Sequence, residues 1–176
     1  MIILPSLILG SFMYNLAKFE QRFGTRIDIR VAKAEDSQNI FDSQNKAFPT
    51  DPTNLSIDKI HDFTDQKEHT FIVGFFDDEF AGYVATHSKK YYPWVNGNSL
   101  VVADAYAGRG IGAFLLREAI FSSQKLVMRI FVEKNNYRAI RLYKKFGFLC
   151  IQCIPRHYEN GDDALVMIKW TFLVNK

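Results

Sequence analysis

The junction between the apolar run Leu100-Val101-Val102-Ala103 and the helical pattern that starts in Gly108-Arg109-Gly110-Ile111-Gly112 constrains this chain more than any other feature. A short apolar run reads as a buried strand. Ile111, Phe114, Leu115, Ala119 and Ile120 then fall on one face of a helix over residues 111 to 123. A strand that passes through a glycine-rich turn into a helix makes an anion site. The first N–H groups of the helix lack intrahelical partners, and glycine lets a phosphate approach them. The spacing is neither G-x-x-x-x-G-K-[ST] nor G-x-G-x-x-G, so Walker-type and dinucleotide-binding loops are excluded.

The rest of the chain alternates strand and helix patterns. Ile27, Ile29 and Val31 alternate with polar residues as in a half-buried strand, and Ala34-Glu35-Asp36 opens a helix running towards Phe48, which Pro49 and Pro52 end. A polar segment leads to Thr70–Phe76, the acidic turn Asp77-Asp78-Glu79 and Phe80–Thr86, which together predict an antiparallel hairpin. Tyr91 to Asn98, with Pro93, Asn96 and Gly97, predicts a loop before the strand at Leu100. Lys125 to Val132 predicts a strand, Asn136 to Phe146 a helix capped by Gly147, and Leu149 to Ile154 and Ala164 to Phe172 two strands around the turn Glu159-Asn160-Gly161-Asp162.

A length of 176 residues and 48% hydrophobic content suffice for one compact domain, placed over residues 26–176. A net charge of +3 suits an anionic ligand and falls short of a nucleic-acid-binding composition. Residues 1–25 form a separate apolar segment. It lacks a basic leader and meets Asn15, Lys18 and Glu20 too soon to span a bilayer, so neither an export signal nor stable membrane insertion is expected. Ile8, Phe12, Leu16, Phe19 and Phe23 lie close to a helical stripe that can dock on the domain, on a second copy to give a homodimer, or on a membrane surface; docking on protein is the simpler reading. Cys150 and Cys153 lie three apart in an extended run, which points them to opposite faces, and no second pair completes a zinc site. They read as buried thiols in a reducing cytoplasm, with no metal expected.

A second element sharpens the reading of the glycines. Asn136-Tyr137-Arg138-Ala139-Ile140-Arg141-Leu142-Tyr143-Lys144-Lys145-Phe146-Gly147-Phe148 has the pattern N-x-x-A-I-x-L-Y-x-x-x-G-F. With Tyr106–Gly112 it resembles the two acetyl-CoA motifs of the GNAT N-acetyltransferase superfamily, most of all its RimI and N-terminal acetyltransferase branch. The resemblance extends over nearly all of Arg26 to Phe172. It implies an α/β (α+β) fold, a mixed, mostly antiparallel sheet of six to seven strands flanked by helices, and acetyl-CoA as cofactor. Ala107, Gly108, Arg109, Gly110, Ile111, Gly112 and Ala113 would hold the pyrophosphate, and Leu100, Val101 and Val102 would pair with the pantetheine arm. Asn136 would contact the cofactor, although as a lone residue it reads equally as a helix N-cap. Tyr143 would stand near the sulfur as the acid that protonates the thiolate. The family usually has Arg or Gln at the position of Ala107 and often proline at Asp104; Arg109 is the residue available to supply the missing charge.

The resemblance also shapes the expected chemistry. An amine must attack while neutral, and an α-amine, with a pKa near ~8 against ~10.4 for lysine, needs the less help from a base. In the ribosomal-protein alanine acetyltransferases a glutamate lies five residues before the motif asparagine; here that position is Phe131. Asp104, Glu133 and His157 are the candidate bases, with Asp104 paired with Tyr143 as the catalytic set. His157–Met167 resembles the Y-Y-x-x-G-E-D-A-x-x-M stretch of the same branch, which implies that Tyr158 lines the acceptor site. A peptide or protein N-terminal amine is the leading acceptor, a small amine or amino sugar the alternative, and a CoA-binding regulatory module without turnover the competing class. Lys134, Arg138, Arg141 and Lys145 read as a solvated basic face of one helix.

Overall fold

The computed structural model describes residues 27–171, so the expected N-terminal stripe and Phe172 lie outside the described residues. Strand β1 (Ile27–Val31) leads through a short 3-10 turn (Ala34–Asp36) into α1 (Ser37–Ala47) and α2 (Ile57–Thr64). The hairpin β2 (His69–Phe76) and β3 (Glu79–His87) follows, turning on Asp77 and Asp78, both at positive φ. Strand β4 (Trp94–Val102) reaches α3 (Ile111–Ser122) through a second 3-10 turn at Asp104–Tyr106. Then come β5 (Val127–Glu133), α4 (Tyr137–Lys145), β6 (Leu149–Ile154) and β7 (Ala164–Trp170).

The strands form one seven-stranded sheet in the order β1-β2-β3-β4-β5-β7-β6. Every neighbouring pair is antiparallel except β4 and β5, which are parallel. Period-two alternation gives the sheet two apolar faces. Ile72, Val84, Met128 and Ile130 pack with Ile111 and Leu115 of α3 and with Ile140 and Tyr143 of α4. Phe71, Val73, Tyr83 and Val101 pack on the other side with Ile40 of α1 and Ile60 of α2. At the start of α1 the buried Asp36 accepts two hydrogen bonds from Arg30, at 2.7 and 3.0 Å, tying β1 to the helix.

Three expectations need correction. Trp94–Gly97 is the first half of β4, paired with Val127–Ile130, and not a loop. Gly97 serves close strand approach there instead of a turn, because a Cβ on it would sit 3.1 Å from Ile130 Cγ1. Helix α2 was hidden in the polar segment; its start is marked by Ser56, whose side chain accepts from the Lys59 amide, and Ile57, Ile60 and Phe63 keep helical spacing. The two cysteines are exposed. They lie on β6, the edge strand. A bulge between Cys150 and Gln152 gives Cys150 and Cys153 the partners Met167 and Leu165, so the thiols share a face instead of opposing one another.

Candidate active site

The parallel pair β4/β5 comes apart midway. Their pairing ends at Gly97 and Ile130, and the next residue, Asn98, is the extra residue of a bulge against β3, where Ala85 pairs with Ser99 and Thr86 with Gly97. From there β4 stays with β3 as far as Val102, while β5 stays with β7 as far as Glu133. The strands therefore diverge as a V, with Ser99–Val102 on one arm and Phe131–Glu133 on the other. Each arm turns an unpaired strand edge towards the cleft. Val101 is buried, whereas Leu100 and Val102 are half-buried because they line this opening.

At the open end of the V lies the glycine turn. Gly108 and Gly110 have φ of 79° and 86°, the left-handed region that glycine adopts without strain. Ala107, Arg109 and Ala113 donate their amides to Asp104, Tyr106 and Gly110, at 3.1, 3.3 and 2.9 Å. The amides of Gly108, Gly110, Ile111 and Gly112 have no partner among the described residues, which leaves four donors at a helix N-terminus, enough to hold a pyrophosphate. Arg109 is held against rings, its guanidinium 5.3 Å from the centroid of Phe76 and 5.5 Å from that of Tyr106. Tyr106 in turn donates to Glu79. The donors this turn offers to an anion are thus backbone amides, and Ala107 adds none from its side chain.

Helix α4 closes one side of the cleft. Asn136 is its N-cap, its Oδ1 accepting the Ala139 amide at 3.0 Å, while its Nδ2 group has no partner among the described residues. Gly147, at φ 82°, ends the helix as expected. Between them Tyr143 is 8% exposed, its ring 5.6 Å from that of Phe148. Burial, with a further contribution from Tyr158, pushes the Tyr143 phenol up to about 12, so it keeps its proton at any physiological pH. That suits an acid and rules out a base.

The β6–β7 connection approaches from the other side. The amides of His157 and Tyr158 both donate to the Asp162 carbonyl, and Arg156 N donates to Asp163 Oδ1, so the loop is internally braced. Tyr158 is half-buried, and burial together with the Glu133 and Asp51 carboxylates pushes its phenol up to about 12. Tyr158 is thereby within electrostatic reach of Tyr143, of Glu133 on β5 and of Asp51 in the α1–α2 connection. The His157 ring stacks on Phe131. Asp51, Asn98 and this use of Phe131 were not foreseen; only the five-residue count back from Asn136 hinted at the last.

Two expected roles change. Asp104 is a poor base, with its side chain 85% exposed and bound to Lys46 at 2.8 Å, a contact that holds its carboxyl below the usual range. Lys134 is not part of the α4 stripe; it precedes the helix and pairs with Asp163 at 3.0 Å, leaving Arg138, Arg141 and Lys145 as the exposed basic residues of that stripe.

A splayed parallel strand pair, a helix N-terminus with free amides at its mouth and a buried tyrosine at its flank define an acyltransferase site of the CoA-using type. Residues 37–148 match the model of the acetyltransferase (GNAT) family, and the chain belongs to that family of acetyl-CoA-dependent N-acetyltransferases. It is 30% identical over 150 residues to a Methanocaldococcus jannaschii protein described as an uncharacterized N-acetyltransferase, covering 80% of this chain and 90% of that protein. It is 26% identical over 165 residues to an N-alpha-acetyltransferase of Sulfurisphaera tokodaii, covering 84% and 95%. A Salmonella typhimurium candidate acetyltransferase solved with its cofactor acetyl-CoA superposes with a TM-score of 0.74 at 21% identity, over 84% of this chain and 95% of that one.

Proposed function

We propose that this enzyme acetylates the α-amine of a peptide or protein N-terminus. The observation that carries the reading is the acceptor corner, where Tyr158, edge-on to the His157 ring, lies within electrostatic reach of Tyr143 and of two carboxylates, Glu133 and Asp51. Tyr158 belongs to the stretch that resembles the N-terminal acetyltransferase branch, and the Sulfurisphaera relative bears the name N-alpha-acetyltransferase. Carboxylates beside the site attract an ammonium ion, and an α-ammonium gives up its proton more readily than that of lysine.

Acetyl-CoA fits the residues that are present. The four partnerless amides from Gly108 to Gly112 are assigned to its pyrophosphate, Leu100, Val101 and Val102 to its pantetheine arm, and the Nδ2 group of Asn136 to a further contact. When bound it supplies an activated acetyl group as a thioester. Unpaired amides on the Ser99–Val102 edge are suited to the negative charge that develops on the acetyl oxygen. Tyr143 donates its phenolic proton to the departing sulfur and then recovers one from solvent.

The test is a peptide carrying both a free α-amine and one internal lysine, incubated with the enzyme and acetyl-CoA and sequenced by mass spectrometry. Acetyl on the α-amine is the expected product. Acetyl on the lysine alone, or on free polyamines in preference to the peptide, would contradict the assignment.

A further inference from the structure

We propose that His157 is the general base of the acyl transfer and that Phe131 positions it. The inference rests on the acetyltransferase reading above and adds the residue that reading lacks. Three observations lead to it.

The first is where the reaction must occur. The anion-binding amides lie at the mouth of the V, beyond the end of β4, so an extended arm held there and paired along β4 points inward, towards the apex at Gly97 and Ile130. Phe131 is the first β5 residue past the last paired position. Glu133 lies two residues, or about 7 Å, further towards the mouth.

The second is sidedness. Met128, Ile130 and Val132 are buried on the α3/α4 face with Tyr143, so Arg129, Phe131 and Glu133 alternate to the opposite face. A base reached through Phe131 therefore works from the face opposite the helix that carries Tyr143. The amine can lose its proton on one side while the sulfur gains one on the other.

The third is how the imidazole is held. The rings of His157 and Phe131 are 5.4 Å apart and only 12° from parallel, while Tyr158 meets His157 edge-on at 5.1 Å and 87°. The Arg129 guanidinium lies 5.2 Å from the Phe131 centroid and also donates to Asn96 Oδ1, which steadies the phenyl ring beneath. An exposed histidine is thus confined by two aromatic rings at the cleft apex, where Phe131 itself offers no proton acceptor. The charged and titratable groups around this corner are Tyr158 on its own loop, Arg129 and Glu133 on β5, Tyr143 on α4 and Asp51 on the α1–α2 connection.

In the proposed step His157 takes a proton from the substrate ammonium. The freed amine forms the C–N bond as the C–S bond breaks, and Tyr143 protonates the sulfur. The nitrogen gives up its second proton as the amide forms, which by way of solvent restores the Tyr143 phenol, and His157 releases the first, so one proton is set free per amide formed.

The experiment compares wild type, His157→Gln, Glu133→Gln and the double variant Phe131→Glu with His157→Gln. Each is followed by pH–rate profile, by calorimetry with acetyl-CoA and by imidazole NMR during titration of an acceptor peptide in the presence of CoA thiol, which cannot react. His157→Gln should lower kcat/KM at pH 7 by about a hundredfold and abolish the rising limb of the wild-type pH–rate profile, while acetyl-CoA affinity stays unchanged. The His157 resonance should move on peptide addition, and the double variant should regain activity with a limb in the carboxylate range. A His157→Gln enzyme within about threefold of wild type that keeps that limb, or a Glu133→Gln enzyme that alone loses it, would overturn the proposal while leaving the acetyltransferase reading intact. A wild-type enzyme that acetylates no amine would instead overturn that reading, and this proposal with it.

Discussion

Gly97 on β4 and Ile130 on β5 are the last cross-strand partners before the two strands part. Their close contact holds the apex of the cleft shut, and the Asn98 bulge turns β4 away immediately after it.

Gly110→Val should weaken acetyl-CoA binding by at least about tenfold in calorimetry. Position 110 has φ of 86° at the start of α3, where a β-branched residue is strained by about 1–2 kcal/mol and the anion-facing turn must distort. Gly108→Ala is a milder comparison. It shares a positive φ, of 79°, but its new Cβ would meet nothing within 4 Å, so its effect should be confined to the backbone strain. Equal, unaltered affinity in both variants would contradict the phosphate-cradle assignment.

Tyr143→Phe should lower turnover by about a hundredfold with little change in acetyl-CoA affinity. Because burial raises the phenol to about 12, the acid form persists through the alkaline range, and the wild-type rate should not fall between pH 8 and about 10 on account of this residue. A descending limb in that range that disappears in Tyr143→Phe would show that the phenol titrates lower than its surroundings imply.

Asp36→Asn should destabilise the fold by about 2 kcal/mol in urea unfolding. Burial works against the Asp36 carboxylate, but hydrogen bonds from Arg30 and from the Lys33 amide outweigh it and hold its pKa below the ordinary value. A group depressed in this way stabilises the folded state above its unfolded pKa of about 3.9, and that contribution is lost as pH falls from there through the folded value. Wild type should therefore lose stability below pH 4 more steeply than Asp36→Asn; parallel acid limbs would count against the pair.

Cys150 and Cys153 should both react with a water-soluble thiol reagent in the native protein, without denaturant. Two thiols titrated within minutes is the expected result. Reaction only after unfolding would return them to the core.

Much of this was legible because local pattern and tertiary role coincide. The strand at Ile27–Val31, the hairpin at Asp77-Asp78 and the apolar face of α3 each carry a signal within a few residues, and the structure follows it, except that Val31 at the end of β1 is exposed where the alternation predicted burial. Gly108–Gly112 and Asn136–Phe148 were readable for the same reason, being contiguous runs. What escaped depends on distant partners. Asn96-Gly97 has turn chemistry, yet Gly97 is glycine so that Ile130 can pack on it. The cysteines are apolar in character but occupy an edge strand, and a one-residue bulge moves them onto one face. Asp104 reads as a reactive carboxylate until Lys46, from a helix far away in sequence, claims it. The stack of His157 on Phe131 joins residues on two separate elements, and neither alone indicates the other.

The most direct test of the account is the steady-state release of CoA thiol from acetyl-CoA with two peptides of the same sequence, one with a free and one with a formylated N-terminus. The account predicts thiol release that saturates with the free peptide and falls to the uncatalysed rate with the blocked one. Release that is absent with both peptides, or equal with both, would contradict it.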